Sequence, residues 1–246
     1  MRHDISDLTP SQLEWLDSVI GQFRLPHSFN RDPASDWIIP EVLERFGDAL
    51  RIHHAFSRQP LSKDRFEYAL ERALSLSGIP ARLEESRTNR GHDLTISEVP
   101  VSLKTEAAAT IKEDFIHVSK WMELGKGVWE LARLRDVFLD HMQNYERIFT
   151  LRCINRIPKG NPTFFKYELV EIPKNLMLES LNARLVIQTN SQQNPKPGYG
   201  YVEGAGGNLK FSLYFDGGTE RKLQIKQLRK ALCISHATWE FESTLL

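Results

Sequence analysis

The spacing of apolar residues changes along the chain, and this change limits the folds that the chain can adopt. In about the first 80 residues apolar side chains recur every three or four positions, which is typical of amphipathic helices. From about residue 147 onward, short alternating runs separated by Gly, Asn and Pro clusters predict strands. The predicted helices cover residues 10–24, 40–50, 62–77, 127–145 and 173–181. We therefore expect an α/β protein with a mixed β-sheet flanked by helices.

The 246 residues contain no internal repeat and no stretch with the composition of a linker. The sequence therefore predicts a single domain over 1–246. Its predicted parts are a helical N-terminal region to about residue 80, a β-hairpin at about 91–106, and a strand-rich region over about 147–246.

Composition narrows the classes of protein to which the chain can belong. No apolar run approaches the roughly 20 residues that a membrane-spanning helix requires. Cys153 and Cys233 stand apart in apolar surroundings and no signal-peptide pattern is visible, which predicts core thiols in a reducing cytoplasm. Lys and Arg together number 32, as do Asp and Glu, so any binding of nucleic acid requires a local basic patch.

The segment 91–106 carries the side chains best suited to chemistry. Two short alternating runs, 94–96 and 101–105, surround four residues that we interpret as a turn, and together they predict a β-hairpin. If Ile96 and Val101 flank that turn, the register places Asp93 directly opposite Lys104.

Alternation along the second strand places Ser102, Lys104 and Glu106 on the face shared with Asp93. Hydrolysis of a phosphodiester requires such a set, because carboxylates hold Mg²⁺ against the phosphate while a cation lies beside the attacking water. In this interpretation Asp93 binds the metal, Glu106 or a carboxylate on a helix supplies a second ligand, and the Leu103 carbonyl supplies a third. Lys104 orients or deprotonates the water and stabilises charge at phosphorus.

The same spacing also fits a structural ion pair between Asp93 and Lys104 on a half-exposed hairpin. The leading hypothesis is a nuclease that cuts DNA at a specific site, and two rivals to it stay open. One is a nuclease with the same hairpin core but a different target or a repair role. The other is a catalytically silent DNA-binding module, and a cleavage map on plasmid DNA distinguishes all three.

An Asp followed by a short hairpin and a strand Lys resembles the core of the PD-(D/E)xK nuclease superfamily. The chain departs from that pattern twice, since His92 stands where Pro is usual and Ser102 replaces the acid two residues before Lys104. The resemblance therefore leaves the second metal-binding acid open. The candidates, in order of preference, are Glu106, Glu71, and then Glu85 and Glu113.

Longer stretches resemble type II restriction endonucleases that recognise CCCGGG. They include Ile-His-Val-Ser-Lys-Trp-Met-Glu-Leu-Gly-Lys-Gly at 116–127, and also 85–89, 91–93, 103–108, 144–152, 195–202 and 211–226. The resemblance implies Mg²⁺-dependent hydrolysis of double-stranded DNA at the centre of the palindrome, which leaves blunt ends. It further implies a homodimer, because a palindrome presents the same half-site to each subunit, and a cognate DNA methyltransferase in the same prokaryotic cytoplasm.

The guanines of such a site call for Arg or Lys side chains that donate to O6 and N7 in the major groove. Two cationic loops supply candidates for base contacts, and the segment before Asp93 supplies candidates for phosphate contacts. The base-reading candidates are Lys196 with Tyr199, and Arg221 with Lys222; the phosphate-contact candidates are Arg87 and Arg90.

Overall fold

The structure, a computed structural model, describes residues 5–84, 91–108, 111–156 and 163–243. Within these residues the chain forms five α-helices and twelve β-strands. The helices are α1 (Pro10–Arg24), α2 (Pro40–His54), α3 (Lys63–Leu76), α4 (Leu131–His141) and α5 (Lys174–Leu178). The strands are β1 (His27–Arg31), β2 (Ala81–Leu83), β3 (Leu94–Ile96), β4 (Val99–Glu106), β5 (Phe115–Glu123), β6 (Arg147–Arg156), β7 (Thr163–Glu171), β8 (Arg184–Ile187), β9 (Gly198–Glu203), β10 (Leu209–Asp216), β11 (Lys222–Arg229) and β12 (Ile234–Ser243).

Helices α1 and α3 begin where capping residues predict. Thr9 accepts from the Gln12 backbone N–H while the Gln12 side chain accepts from the Thr9 N–H, so a capping box precedes Pro10. Ser62 accepts from the backbone N–H of Arg65 at the start of α3. Helix α4 is shorter than the predicted 127–145 at both ends, since it begins at Leu131 and the chain after His141 forms only a 3-10 turn.

The strands form two sheets rather than the single mixed sheet that the sequence predicted. The first has the order β1-β12-β7-β6-β4-β3-β2, in which only β4 and β6 are parallel, so it is mixed as expected. The second has the order β5-β11-β10-β9-β8 and is antiparallel throughout. Strand β5 follows β4 directly in the chain, so the segment after the second strand of the predicted hairpin connects the two sheets.

Two hydrophobic cores enclose the first sheet. One face packs against α2 and α3, whose buried residues include Phe46 and Phe66, and it buries Trp239 of β12. The opposite face contributes Ile148 to a second core that also contains α4 and the inner face of the second sheet. This arrangement places the polar face of β4 between the two sheets.

The structure also bears on the predictions about the two cysteines and about membrane-spanning helices. Cys153 is buried in the first core, as predicted, whereas Cys233 is half-buried and packs against the second core; neither forms a disulfide within the described residues. Among the described residues, no helix combines the length and the apolar character needed to cross a membrane.

Candidate active site

The hairpin of β3 and β4 turns through two residues, not the four that the sequence predicted. Ser97 and Glu98 have φ angles of 46° and 66°, so both adopt the left-handed conformation of a tight turn. Leu94 therefore pairs with Val101, and the predicted position of Asp93 directly opposite Lys104 is wrong by two residues. Because the shift is two residues and not one, Asp93 stays on the predicted face of the sheet.

Asp93 is held at the end of this hairpin by β4. Its Oδ2 accepts from the Leu103 backbone N–H at 2.6 Å and from the Ser102 Oγ at 3.2 Å. The Lys104 Nζ donates to the same Ser102 Oγ at 2.8 Å. Ser102 thus links the acid to the amine, at the position where the superfamily pattern has a second acid.

Two residues of α3 join this group, and the sequence interpretation missed both. The Lys63 Nζ lies 2.7 Å from Asp93 Oδ1 and 2.7 Å from Glu67 Oε1. Lys63 and Glu67 are four residues apart and so share a helix face. Glu71, which the sequence interpretation did consider, lies one turn further on, so the helical spacing already contained the signal for Glu67.

The group opens into a cleft of about 680 Å³ between the hairpin, the end of β5 and α4. Lys104 is buried there, with its Nζ 5.6 Å from the centre of the Trp121 ring. Burial lowers the pKa of Lys104 to about 8, although the charge of Asp93 acts in the opposite direction. Burial alone would raise the pKa of Asp93, but Lys104, Lys63 and the Leu103 N–H outweigh it and hold that pKa below its ordinary value.

Glu106 lies on the predicted face of β4 but belongs to a different group of side chains. Its Oε2 accepts from Arg152 Nε at 2.6 Å, and its Oε1 accepts from the His117 backbone N–H at 3.0 Å. Arg152 is fully buried and also contacts Glu168 at 2.9 Å. Both oxygens of Glu106 are therefore engaged within a structural network.

The remaining acidic candidates lie outside the Asp93 group or outside the described residues. Glu71 accepts a hydrogen bond from Ser75 at 3.0 Å on the same helix. Glu113 precedes β5, and its backbone carbonyl accepts from Arg152. Glu85 falls outside the described residues.

The predicted DNA-contacting residues within the described part of the chain lie on two loops and two strands. The Trp129 indole donates to the Lys196 carbonyl at 2.8 Å, and the Arg221 guanidinium lies 5.7 Å from the same ring, so the two cationic loops meet at Trp129. Lys222 pairs with Glu220 at 3.0 Å. Tyr199, on β9, lines a second cleft beside the first. Arg87 and Arg90 fall outside the described residues.

The donor set around Asp93 fits a cation with few protein ligands. In the described part of the chain, no three side chains of the His, Cys, Asp or Glu type come together as a metal site. Asp93 and Glu67 nevertheless hold one positive charge, the Lys63 ammonium, between them. Mg²⁺ requires only one or two protein carboxylates, because it keeps several waters and takes further oxygens from phosphate.

Comparison with known proteins assigns the chain to a family. The family model described as SmaI, type II site-specific deoxyribonuclease, matches residues 2–241. The chain belongs to the SmaI family. It is 57% identical over 201 residues to the type II restriction enzyme SmaI of Serratia marcescens, a match that covers 82% of this chain and 80% of that enzyme. No solved structure matches the chain.

Membership of the SmaI family makes the chain an enzyme, a type II site-specific deoxyribonuclease that hydrolyses phosphodiester bonds. The described residues that best suit this chemistry line the first cleft, apart from Glu67, which joins the group through its ion pair with Lys63. They combine two carboxylates, a buried amine and a hydroxyl within one connected group: Asp93, Glu67, Lys104 and Ser102.

Proposed function

We propose that this SmaI-family enzyme is a Mg²⁺-dependent nuclease of the PD-(D/E)xK type that cleaves CCCGGG at its centre and leaves blunt ends. The observation that carries the specificity is the 57% identity to SmaI over most of both chains. The observation that supports the chemistry is the group of side chains around Asp93 and Lys104, at the end of a hairpin in a mixed sheet.

In this proposal Asp93, Glu67 and the Leu103 carbonyl would hold Mg²⁺. The bound ion would draw negative charge from the phosphate. The Lys63 ammonium, which now bridges both carboxylates, would have to move aside. Glu106 would keep its structural role, because Arg152 and the His117 N–H already engage both of its oxygens.

Lys104 would position the attacking water and stabilise charge at phosphorus. The water oxygen forms a bond to phosphorus while the bond from phosphorus to one sugar oxygen breaks. The water loses its proton and the leaving oxygen gains one, so no oxidant or co-reactant is needed. Ser102 would hold the Lys104 ammonium in place through the 2.8 Å hydrogen bond.

The remaining parts of the proposal follow from the substrate. A palindromic site matches a homodimer with twofold symmetry, in which each subunit cuts one strand. We propose that the whole chain, 1–246, acts as one nuclease domain in the bacterial cytoplasm, where a cognate methyltransferase protects the host DNA.

The test is cleavage of a plasmid that carries a single CCCGGG, with Mg²⁺ and with EDTA, followed by sequencing of the ends. The matched control is the same plasmid with one base pair of the site changed. A blunt, Mg²⁺-dependent cut at the centre, absent from the control, supports the proposal. Cuts elsewhere overturn the specificity, and no cut under any condition overturns the catalytic assignment and favours a silent DNA-binding module.

A further inference from the structure

A second cleft, of about 760 Å³, adjoins the catalytic cleft. Thr105 and Ser119 line both clefts, so the second begins one residue beyond Lys104 on β4. Its floor is the outer face of the second sheet, where Tyr199 stacks on Tyr201 with ring centres 5.4 Å apart. A DNA strand held at the catalytic group would therefore pass directly over an aromatic and polar surface.

Lys226 of β11 provides a positive charge in this second cleft. Its Nζ lies 3.6 Å from the centre of the Tyr214 ring and 5.7 Å from that of Tyr199. No described carboxylate is within salt-bridge distance of it, and the oxygens of Asp216 accept instead from Gln224 and the Gly218 N–H. The aromatic rings hold the ammonium by cation–π attraction and leave its N–H donors available.

The backbone of β11 is distorted at this point. Gln227 has a φ of 55°, and the pairing of β11 with β5 shifts register between Ile225 and Leu228. In a regular strand, consecutive side chains point to opposite faces, yet Lys226 and Gln227 both line the second cleft. A non-glycine residue in the left-handed region is uncommon and is often found at functional sites, and a bulge redirects side chains in this way.

We propose that Lys226, with Gln227 beside it, reads a guanine of the recognition site by donating hydrogen bonds to O6 and N7 in the major groove. This inference rests on the proposed function, because a central cut in CCCGGG places every guanine within three base pairs of a scissile phosphate. Three base pairs extend on the order of 10 Å along the helix axis, which agrees with a reading cleft that adjoins the catalytic one. Guanine is the base whose major-groove edge offers two acceptors to a lysine.

The local electrostatics agree with this assignment. Burial lowers the pKa of Lys226, and burial together with the charge of Lys226 lowers the pKa of His117, which lines the same cleft. A positive charge on His117 is therefore disfavoured beside Lys226. Lys112, the other lysine that lines this cleft, is exposed, whereas Lys226 lies against the rings of Tyr214 and Tyr199. A cation held by aromatic rings in this way is suited to one base edge, whereas a phosphate track would call for several cations.

The experiment compares the kcat/KM of the full-length enzyme on CCCGGG duplexes that carry 7-deazaguanine at one guanine at a time. The variant is Lys226→Met, with Lys226→Gln in case the first does not fold. Lys210→Met is the matched control, because Lys210 lies on the neighbouring strand β10 and pairs with Glu179 outside the cleft. We expect Lys226→Met to lower kcat/KM by about 5- to 150-fold, the range that corresponds to roughly 1–3 kcal/mol for one base contact.

The decisive result is the pattern among the three guanines. If Lys226 reads one guanine, 7-deazaguanine at that position lowers the kcat/KM of the wild type but has little further effect on Lys226→Met. At the other two positions, the effect of the base change and the effect of the variant on kcat/KM multiply. If the losses multiply at all three positions, Lys226 contacts phosphate or is structural and the inference is overturned. If wild-type enzyme does not cut CCCGGG, the proposed function falls and the guanine assignment falls with it.

Discussion

Two carboxylates, the buried Glu106 and the half-buried Glu67, have different roles in this proposal, and replacing each by its amide distinguishes those roles. Glu106→Gln removes a charge from a network in which Arg152 is fully buried. Removal of one partner from a buried ion pair costs about 3–5 kcal/mol. Because Glu168 still contacts Arg152 at 2.9 Å, we expect the lower end, about 3 kcal/mol. For a chain of this length that lowers Tm by roughly 6–12 °C.

Glu67→Gln should give the opposite result. The Lys63 side chain of its ion pair is 40% exposed, so the pair contributes only about 0–1 kcal/mol to stability. Loss of this carboxylate removes a proposed ligand for Mg²⁺, and we expect the cleavage rate to fall by orders of magnitude. Glu71→Gln, one turn further along α3, is the matched control and should leave both properties near wild type.

The assay combines thermal unfolding with single-turnover cleavage of a CCCGGG duplex at a temperature where all the variants are folded. An unchanged Tm with loss of cleavage in Glu106→Gln would show that Glu106 acts in catalysis and would overturn its structural role. Cleavage at the wild-type rate by Glu67→Gln in limiting Mg²⁺ would exclude Glu67 as a metal ligand.

Three further predictions concern single side chains. Lys104→Ala should lower the cleavage rate by orders of magnitude while specific DNA binding, measured by anisotropy, stays nearly intact; a normal rate would remove Lys104 from the mechanism. Lys63→Met should lower the Mg²⁺ concentration for half-maximal cleavage several-fold, because the competing ammonium is gone; an unchanged Mg²⁺ titration would contradict this. His54 is buried against Tyr167 and burial lowers its pKa from 6.5 to about 3, so stability is complete above pH 6.5 and declines below it, by about 2 kcal/mol at pH 5. Urea unfolding of His54→Gln should show a weaker decline than wild type over this range, and equal slopes would disprove the burial argument.

The hairpin shows what the sequence could and could not predict about the site. Alternation along β4 placed Ser102 and Lys104 on one face, and the structure agrees. The register was wrong because Ser97 and Glu98 form the tight turn in a left-handed conformation that Asn or Gly usually supplies. A turn that lacks its usual residues cannot be located from local sequence alone.

Other features of the fold and of the site were not predicted from the sequence, for different reasons. No individual strand was predicted at 234–243 within the strand-rich region, although β12 buries Ala237, Trp239 and Phe241 at alternate positions, which is a strand signal. The partner of Glu106 was beyond any local interpretation, because Arg152 lies 46 residues further along the chain. Spacing identified the elements, but only tertiary contacts distinguished a structural acid from a candidate ligand.

Arg152 also explains how the proposed site of cleavage and the proposed site of base recognition can keep a fixed separation. It donates to Glu106 at the end of β4 and to the carbonyls of Lys112 and Phe115, where the chain enters β5. Strand β5 pairs with β11, which carries Lys226. A buried guanidinium with all of these partners can shift only by breaking several hydrogen bonds at once, so it fixes the distance between the proposed catalytic hairpin and the proposed reading cleft. A restriction enzyme that cuts at a defined phosphate needs such a fixed distance, since one base pair of slippage is only about 3.4 Å.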